Sequence, residues 1–163
     1  MKKLRYILLF LSALTFHSCT EPVSSLPARP VGIQINTNQD FFVHFQPVNL
    51  YDYVIADAEG LHYHNQIRRY QEGHGAHGYG GVIIIVTGSE LNPYASFDMA
   101  CPACSLSTGK CHVTQMDGFF MVCPDCNERY DMTAYGVPTK GKSKERLKQY
   151  NTHVVNGVIR ISN

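Results

Sequence analysis

An all-β domain is the fold class this sequence predicts, and three stretches carry the prediction. VGIQINTN (31–38) places Val31, Ile33 and Ile35 on one face by strict alternation, the period of a half-buried strand. GGVIIIVTG (80–88) is a continuous β-branched run bounded by glycines, the pattern of a strand covered on both faces. YNTHVVNGVIRIS (150–162) has alternating arms around Asn156-Gly157, which supplies the positive φ angles of a type I′ hairpin turn. Against these stands one helix candidate, SKERLKQY (143–150), which is short and more polar than a stable amphipathic helix. The arrangement expected is small and antiparallel.

The chain opens on MKKLRYILLFLSALTFHSC, with basic Lys2, Lys3 and Arg5 followed by an apolar run from Tyr6 to Phe16. That is the layout of a secretory signal, and the run is too short to span a bilayer comfortably. Ser18-Cys19 at its end resembles the lipobox of bacterial lipoproteins, although His17 departs from the usual small or aliphatic residue. The resemblance implies that residues 1–18 are removed, that Cys19 is acylated, and that membrane lipid holds the protein in the bacterial cell envelope. TEPVSSLPARP (20–30) then reads as a flexible spacer, and residues 31–163 as the domain.

Within the domain, DFFVHFQPVNL (40–50) is aromatic and β-branched and reads as a strand closed by Pro47. LHYHNQIRRYQEGHGAHGYGG (61–81) holds His62, His64, His74 and His77 and reads as a polar, glycine-rich loop; a second metal site is the alternative. YASFDM (94–99) and GFFMV (118–122) are strands that each lead into a pair of cysteines.

Charge excludes one class of partner. Without Lys2, Lys3 and Arg5 the 14 Lys and Arg fall to 11, against 13 Asp and Glu, a net charge near −2. Nucleic-acid binding rests on neutralising phosphates, which a slightly acidic domain does poorly. There is also no nucleophile–base pair, and Gly80-Gly81 precede a strand rather than a helix, so no dinucleotide fingerprint is present and no enzyme activity is expected.

With Cys19 assigned to lipid, five cysteines remain: Cys101, Cys104, Cys111, Cys123 and Cys126. An odd number in two close Cys-x-x-Cys pairs is a poor disulfide framework, because local bridges close tiny loops and constrain the unfolded chain little. Two such pairs separated by eighteen residues fit a tetrahedral site with four sulfur ligands. Pro102 and Pro124 follow the first Cys of each pair and stiffen both loops alike. Thiolate softness selects zinc, iron or an iron–sulfur cluster over calcium and magnesium. Spacing alone goes no further. Cys111 reads as a free thiol or a spare ligand.

The flanks narrow the family. From Cys123 the order of Tyr130, Asp131, Gly141, Leu147, Tyr150 and the Asn156-Gly157 hairpin resembles the second half of a Rieske domain. VIIIVTGSELNPYASFDMACP upstream is similar to the Rieske strand pair that delivers the first Cys-Pro loop. The resemblance spans about residues 80 to 163. It implies an antiparallel barrel or sandwich with a small inserted metal-binding subdomain, here about 98–135. It departs in its ligands: Cys126 stands at the second His position, and Ala103, followed by Cys104, at the first. The scaffold therefore implies an all-thiolate [2Fe–2S] centre and an electron-transfer role with a redox or envelope protein as partner. One Zn²⁺ or Fe in a Cys₄ site, with a structural role, is the alternative reading of the same residues.

Overall fold

The computed structural model describes residues 24–70, 75–104 and 113–163. The first seven strands are β1 (Val31–Asn36), β2 (Tyr53–Ala56), β3 (Leu61–Tyr63), β4 (Gln66–Arg68), β5 (Ala76–His77), β6 (Val82–Val86) and β7 (Tyr94–Asp98). Then come β8 (Gln115–Asp117), β9 (Phe120–Val122), β10 (Arg129–Asp131) and β11 (Val137–Lys140). The chain closes on β12 (Gln149–Val155) and β13 (Val158–Ser162). The fold is all-β: helical structure among the described residues is limited to single turns at Asp40–Phe42 and 102–104.

Nine strands form one antiparallel sheet in the order β4-β3-β2-β6-β7-β12-β13-β1-β5. Ile33 and Ile35 of β1, Val54 of β2, Tyr63 of β3, Ile84 of β6 and Ile159 of β13 all belong to one buried cluster, so the sheet curls around a common core. The remaining strands form a separate sheet, β11-β10-β9-β8, in the stretch of chain between β7 and β12. This smaller sheet is therefore an insertion into the larger one, and it runs to Lys140.

β6 explains the unbroken run of β-branched residues. Val82, Ile84 and Val86 face the barrel core, while Ile83 and Ile85 face outward. Outward here means against the insertion: Ile83, Ile85 and Phe97 share a second cluster with Met121, Tyr130, Met132 and Leu147. Both faces of the strand are thus removed from water, and all five residues are buried. Each such aliphatic side chain contributes on the order of 1.5–3 kcal/mol by burial.

The C-terminal hairpin forms as its sequence dictates. Val155 pairs with Val158, and Asn156 and Gly157 take φ of 51° and 74°. Two expectations give way, at 40–50 and at 61–68, and the doubt over a helix at 143–150 is borne out. Residues 40–50 are not a strand: Phe42 accepts a turn bond from Phe45, and both rings, three residues apart, enter the barrel core. Residues 143–150 are not a helix, because their amides find other partners. The Ser143 N–H donates to Glu128, the Leu147 N–H donates to Gly136, and Gln149 begins β12. Residues 61–68 are a hairpin rather than a loop, with His64 at φ 51° in its turn. The period-two pattern was masked there by a polar outer face.

Candidate metal centre

The site is assembled where the chain crosses between the two sheets. Asp98, the last residue of β7, is fully buried and receives four donors. The Tyr150 hydroxyl donates to it at 2.6 Å, the Tyr79 N–H at 2.7 Å, the Gly80 N–H at 2.9 Å and the Ala100 N–H at 2.8 Å. This carboxylate turns the backbone toward Cys101 and clamps it to the 78–80 segment. A Cβ on Gly80 would meet the Ala100 nitrogen at 2.6 Å, so the close approach requires glycine. Pro102 opens a helical turn over 102–104 that brings Cys104 back beside Cys101.

The second loop leaves β9 after Val122. The Cys123 N–H donates to the Glu128 carbonyl at 2.9 Å, and the Asn127 N–H donates to the Cys123 carbonyl at 3.0 Å. Asn127 takes φ 58°, a left-handed conformation that asparagine tolerates better than most residues. Glu128 is buried and accepts from the Lys142 and Ser143 N–H groups, which ties this loop to the segment after β11.

These two loops bring Cys101, Cys104, Cys123 and Cys126 together, with all four sulfurs within 4.8 Å of one another. The Sγ–Sγ separation is 3.6 Å for Cys101–Cys126 and for Cys104–Cys123. Both exceed the disulfide bond length of about 2.05 Å, and none of the four is in a disulfide. Cys101, Cys104 and Cys123 are buried, and Cys126 is exposed.

Burial governs the electrostatics. It pushes the Cys101 thiol up to about 11, against the lowering effect of the Tyr130 hydroxyl and the Cys104 N–H. It raises Cys104 further still. Cys123 is also desolvated, but N–H groups of Cys126 and Asp125 and the neighbouring thiols outweigh that and lower it. Sulfurs held this close in an apolar pocket become thiolates at neutral pH only with a compensating positive charge, which a divalent ion supplies. The donor set therefore fits a metal or iron–sulfur centre.

Sequence reasoning passed over Asp98 and Glu128 as supports, and it used Tyr130 only as a marker of order. The Tyr130 hydroxyl lies 3.3 Å from Cys101 Sγ, is buried, and is held protonated chiefly by its burial and then by that sulfur. A local signal was present for Asp98 alone, an acid ending the otherwise apolar strand that leads into Cys101. Among the described residues His62, His64 and His77 belong to no metal-ligating group. His62 Nε2 pairs with Asp57 at 2.8 Å, and the left-handed turn at His64 takes it off the face of His62. Among the described residues the four cysteines are the metal-ligating group. Cys19, His74 and Cys111 lie outside the described residues.

No family model matches the chain, and no curated protein matches it. A solved structure titled Sphingomonas yanoikuyae B1 ferredoxin aligns with 72% of this chain and 93% of its own length, at 16% identity and a TM-score of 0.39. Likeness of that degree is too slight to bear on cofactor or activity, which rest on the sulfurs themselves.

Proposed function

We propose that this is a lipid-anchored protein of the bacterial envelope whose inserted sheet carries one metal ion, zinc, on Cys101, Cys104, Cys123 and Cys126, in a structural role. The sulfur spacing carries this reading. Four bonds of about 2.3 Å to one tetrahedral ion put their sulfurs about 3.8 Å apart. The two close pairs here stand at 3.6 Å and all separations lie within 4.8 Å. In a [2Fe–2S] cluster, thiolates on opposite irons stand more than about 5 Å apart.

Bound there, the ion would cross-link two loops whose own sheet is small, and the binding energy would add to folding. The chain's residues prepare the site. Asp98 and Glu128 fix the loop backbones, Tyr130 donates to Cys101, and Ile83, Ile85 and Phe97 exclude water from behind it. No catalytic step is assigned to the chain. Cys19 would tether it through acyl chains; the expected spacer is shorter than residues 20–30, because Leu26 is buried against the domain, the Ser25 N–H donates to Glu145 and Lys148 donates to the Pro27 carbonyl.

An iron–sulfur electron carrier is the second reading, favoured by two observations. Cys126 is an exposed ligand through which electrons could leave, and the Tyr130 hydrogen bond to sulfur is a device that tunes cluster potentials. Metal analysis and a visible spectrum of the full chain, purified anaerobically, separate the two. Zinc at about one per chain in a colourless protein supports the structural site. A brown protein with iron and acid-labile sulfide replaces it with the cluster.

A further inference from the structure

The strand order places β4 at one edge of the larger sheet and β1 seven places away, yet residues of both line a single cavity of about 270 Å³. The curled sheet therefore has a seam between these strands that backbone hydrogen bonds do not close. Arg68, Arg69 and Tyr70 line the cavity from one side, Gln34 from the other, and Phe42 and Leu61 form its apolar part. It lies in the 61–81 segment and its surroundings, for which the metal centre has no use.

Three features make this more than an imperfection of closure. First, among the described residues no acid lines the cavity and neither guanidinium is ion-paired. Second, Arg68 Nη1 is hydrogen-bonded to Gln39 Oε1, which holds the fork in place while leaving its other donors available. Third, the Tyr70 hydroxyl is buried and has no partner. Burial, and then the charge of Asp57, push its ionisation up to about 12, so it remains an O–H donor at neutral pH. Asp57 itself is occupied by His62 and by the Glu59 and Gly60 N–H groups. A buried donor without an acceptor is destabilising, and an acceptor supplied by a ligand removes that cost.

We infer that this seam is a binding site for a small organic oxyanion, with Arg68 and Arg69 taking a carboxylate or phosphate group, Tyr70 donating to it, and Phe42 and Leu61 covering its apolar part. Guanidinium forks match both oxyanions in planar, two-bond geometry. The volume falls just below the roughly 300–1,000 Å³ of drug-sized pockets, which limits the ligand to a small molecule. The assignment is independent of what the cysteines hold.

Titration calorimetry of the full chain, as purified with its metal, tests this with benzoate, phenyl phosphate and inorganic phosphate as probes. Benzoate or phenyl phosphate should bind saturably at one site per chain, and whichever binds more tightly identifies the preferred oxyanion. Arg68→Gln should weaken that binding by about tenfold or more, as loss of a charged hydrogen bond does. Arg69→Gln, at an exposed position, and Tyr70→Phe should each weaken it by about threefold or more. Absence of saturable binding by either organic probe, or unchanged affinity in all three variants, overturns the site. Inorganic phosphate binding as tightly as phenyl phosphate overturns the role of the apolar wall.

Discussion

The hydroxyl of Tyr130 is the smallest feature on which the account of the metal centre can be tested. It is buried, lies 3.3 Å from Cys101 Sγ, and also accepts from the Ala103 N–H in the same loop. Outer partners of this kind typically change metal affinity by about 10–100-fold. Tyr130→Phe keeps the ring in the second cluster and removes the hydroxyl that bonds Cys101 and the Ala103 N–H. Its zinc affinity, measured by competition with a chromophoric chelator, should fall about tenfold while the fold persists. Gly141 tests the support of the other loop. It sits at φ 118°, and a Cβ there would meet the Glu128 carboxylate at 2.1 Å. Gly141→Ala should cost about 1–3 kcal/mol in denaturant unfolding, from strain and displacement of Glu128 together.

Among the elements, the β2–β3 hairpin carries a pH dependence of its own. Asp57 loses some hydration on folding, but the Glu59 N–H, the His62 ring and the Gly60 N–H outweigh that and hold its carboxyl below the ordinary value. A depressed folded pKa contributes stability above the unfolded value near 4, and that stability is lost as pH falls through the folded pKa. Asp57→Asn should therefore be less stable than the parent near pH 6, and the difference should close below about pH 4 in thermal melts. The adjoining β3–β4 hairpin marks where the sequence was hard to read. β1, β6, β7 and the 149–162 hairpin were legible because alternation or continuous burial wrote itself into Val31, Ile33, Ile35 and the Val82–Val86 run. Residues 61–68 carry polar side chains on an edge hairpin, so their strand period is weak. Residues 40–50 have strand composition, yet burying Phe42 and Phe45 from consecutive turns satisfies the core equally well. For the site, the Cys-x-x-Cys spacing pointed at the four sulfurs, while Asp98 and Glu128 act through backbone amides distant in sequence, which no local pattern encodes.

At the scale of the molecule, two sheets share β6 and β7 as a common wall, and they differ in what holds them. The larger sheet has nine strands around a continuous apolar core. The smaller has four short ones, and its cluster includes Cys101, Cys104 and Cys123 themselves. Metal removal should accordingly loosen one and spare the other. After chelation, hydrogen exchange should accelerate through β8–β11 while β2, β6, β12 and β13 retain their protection; uniform acceleration would mean that the ion stabilises the whole barrel. The convergence of four thiolates on one ion is the claim on which the rest depends, and X-ray absorption at the metal edge of the full chain reads it directly. The account predicts a zinc edge with a single shell of four sulfurs at about 2.3 Å and no metal neighbour. An iron edge with a second iron in the next shell, or a shell containing nitrogen or fewer sulfurs, would contradict it.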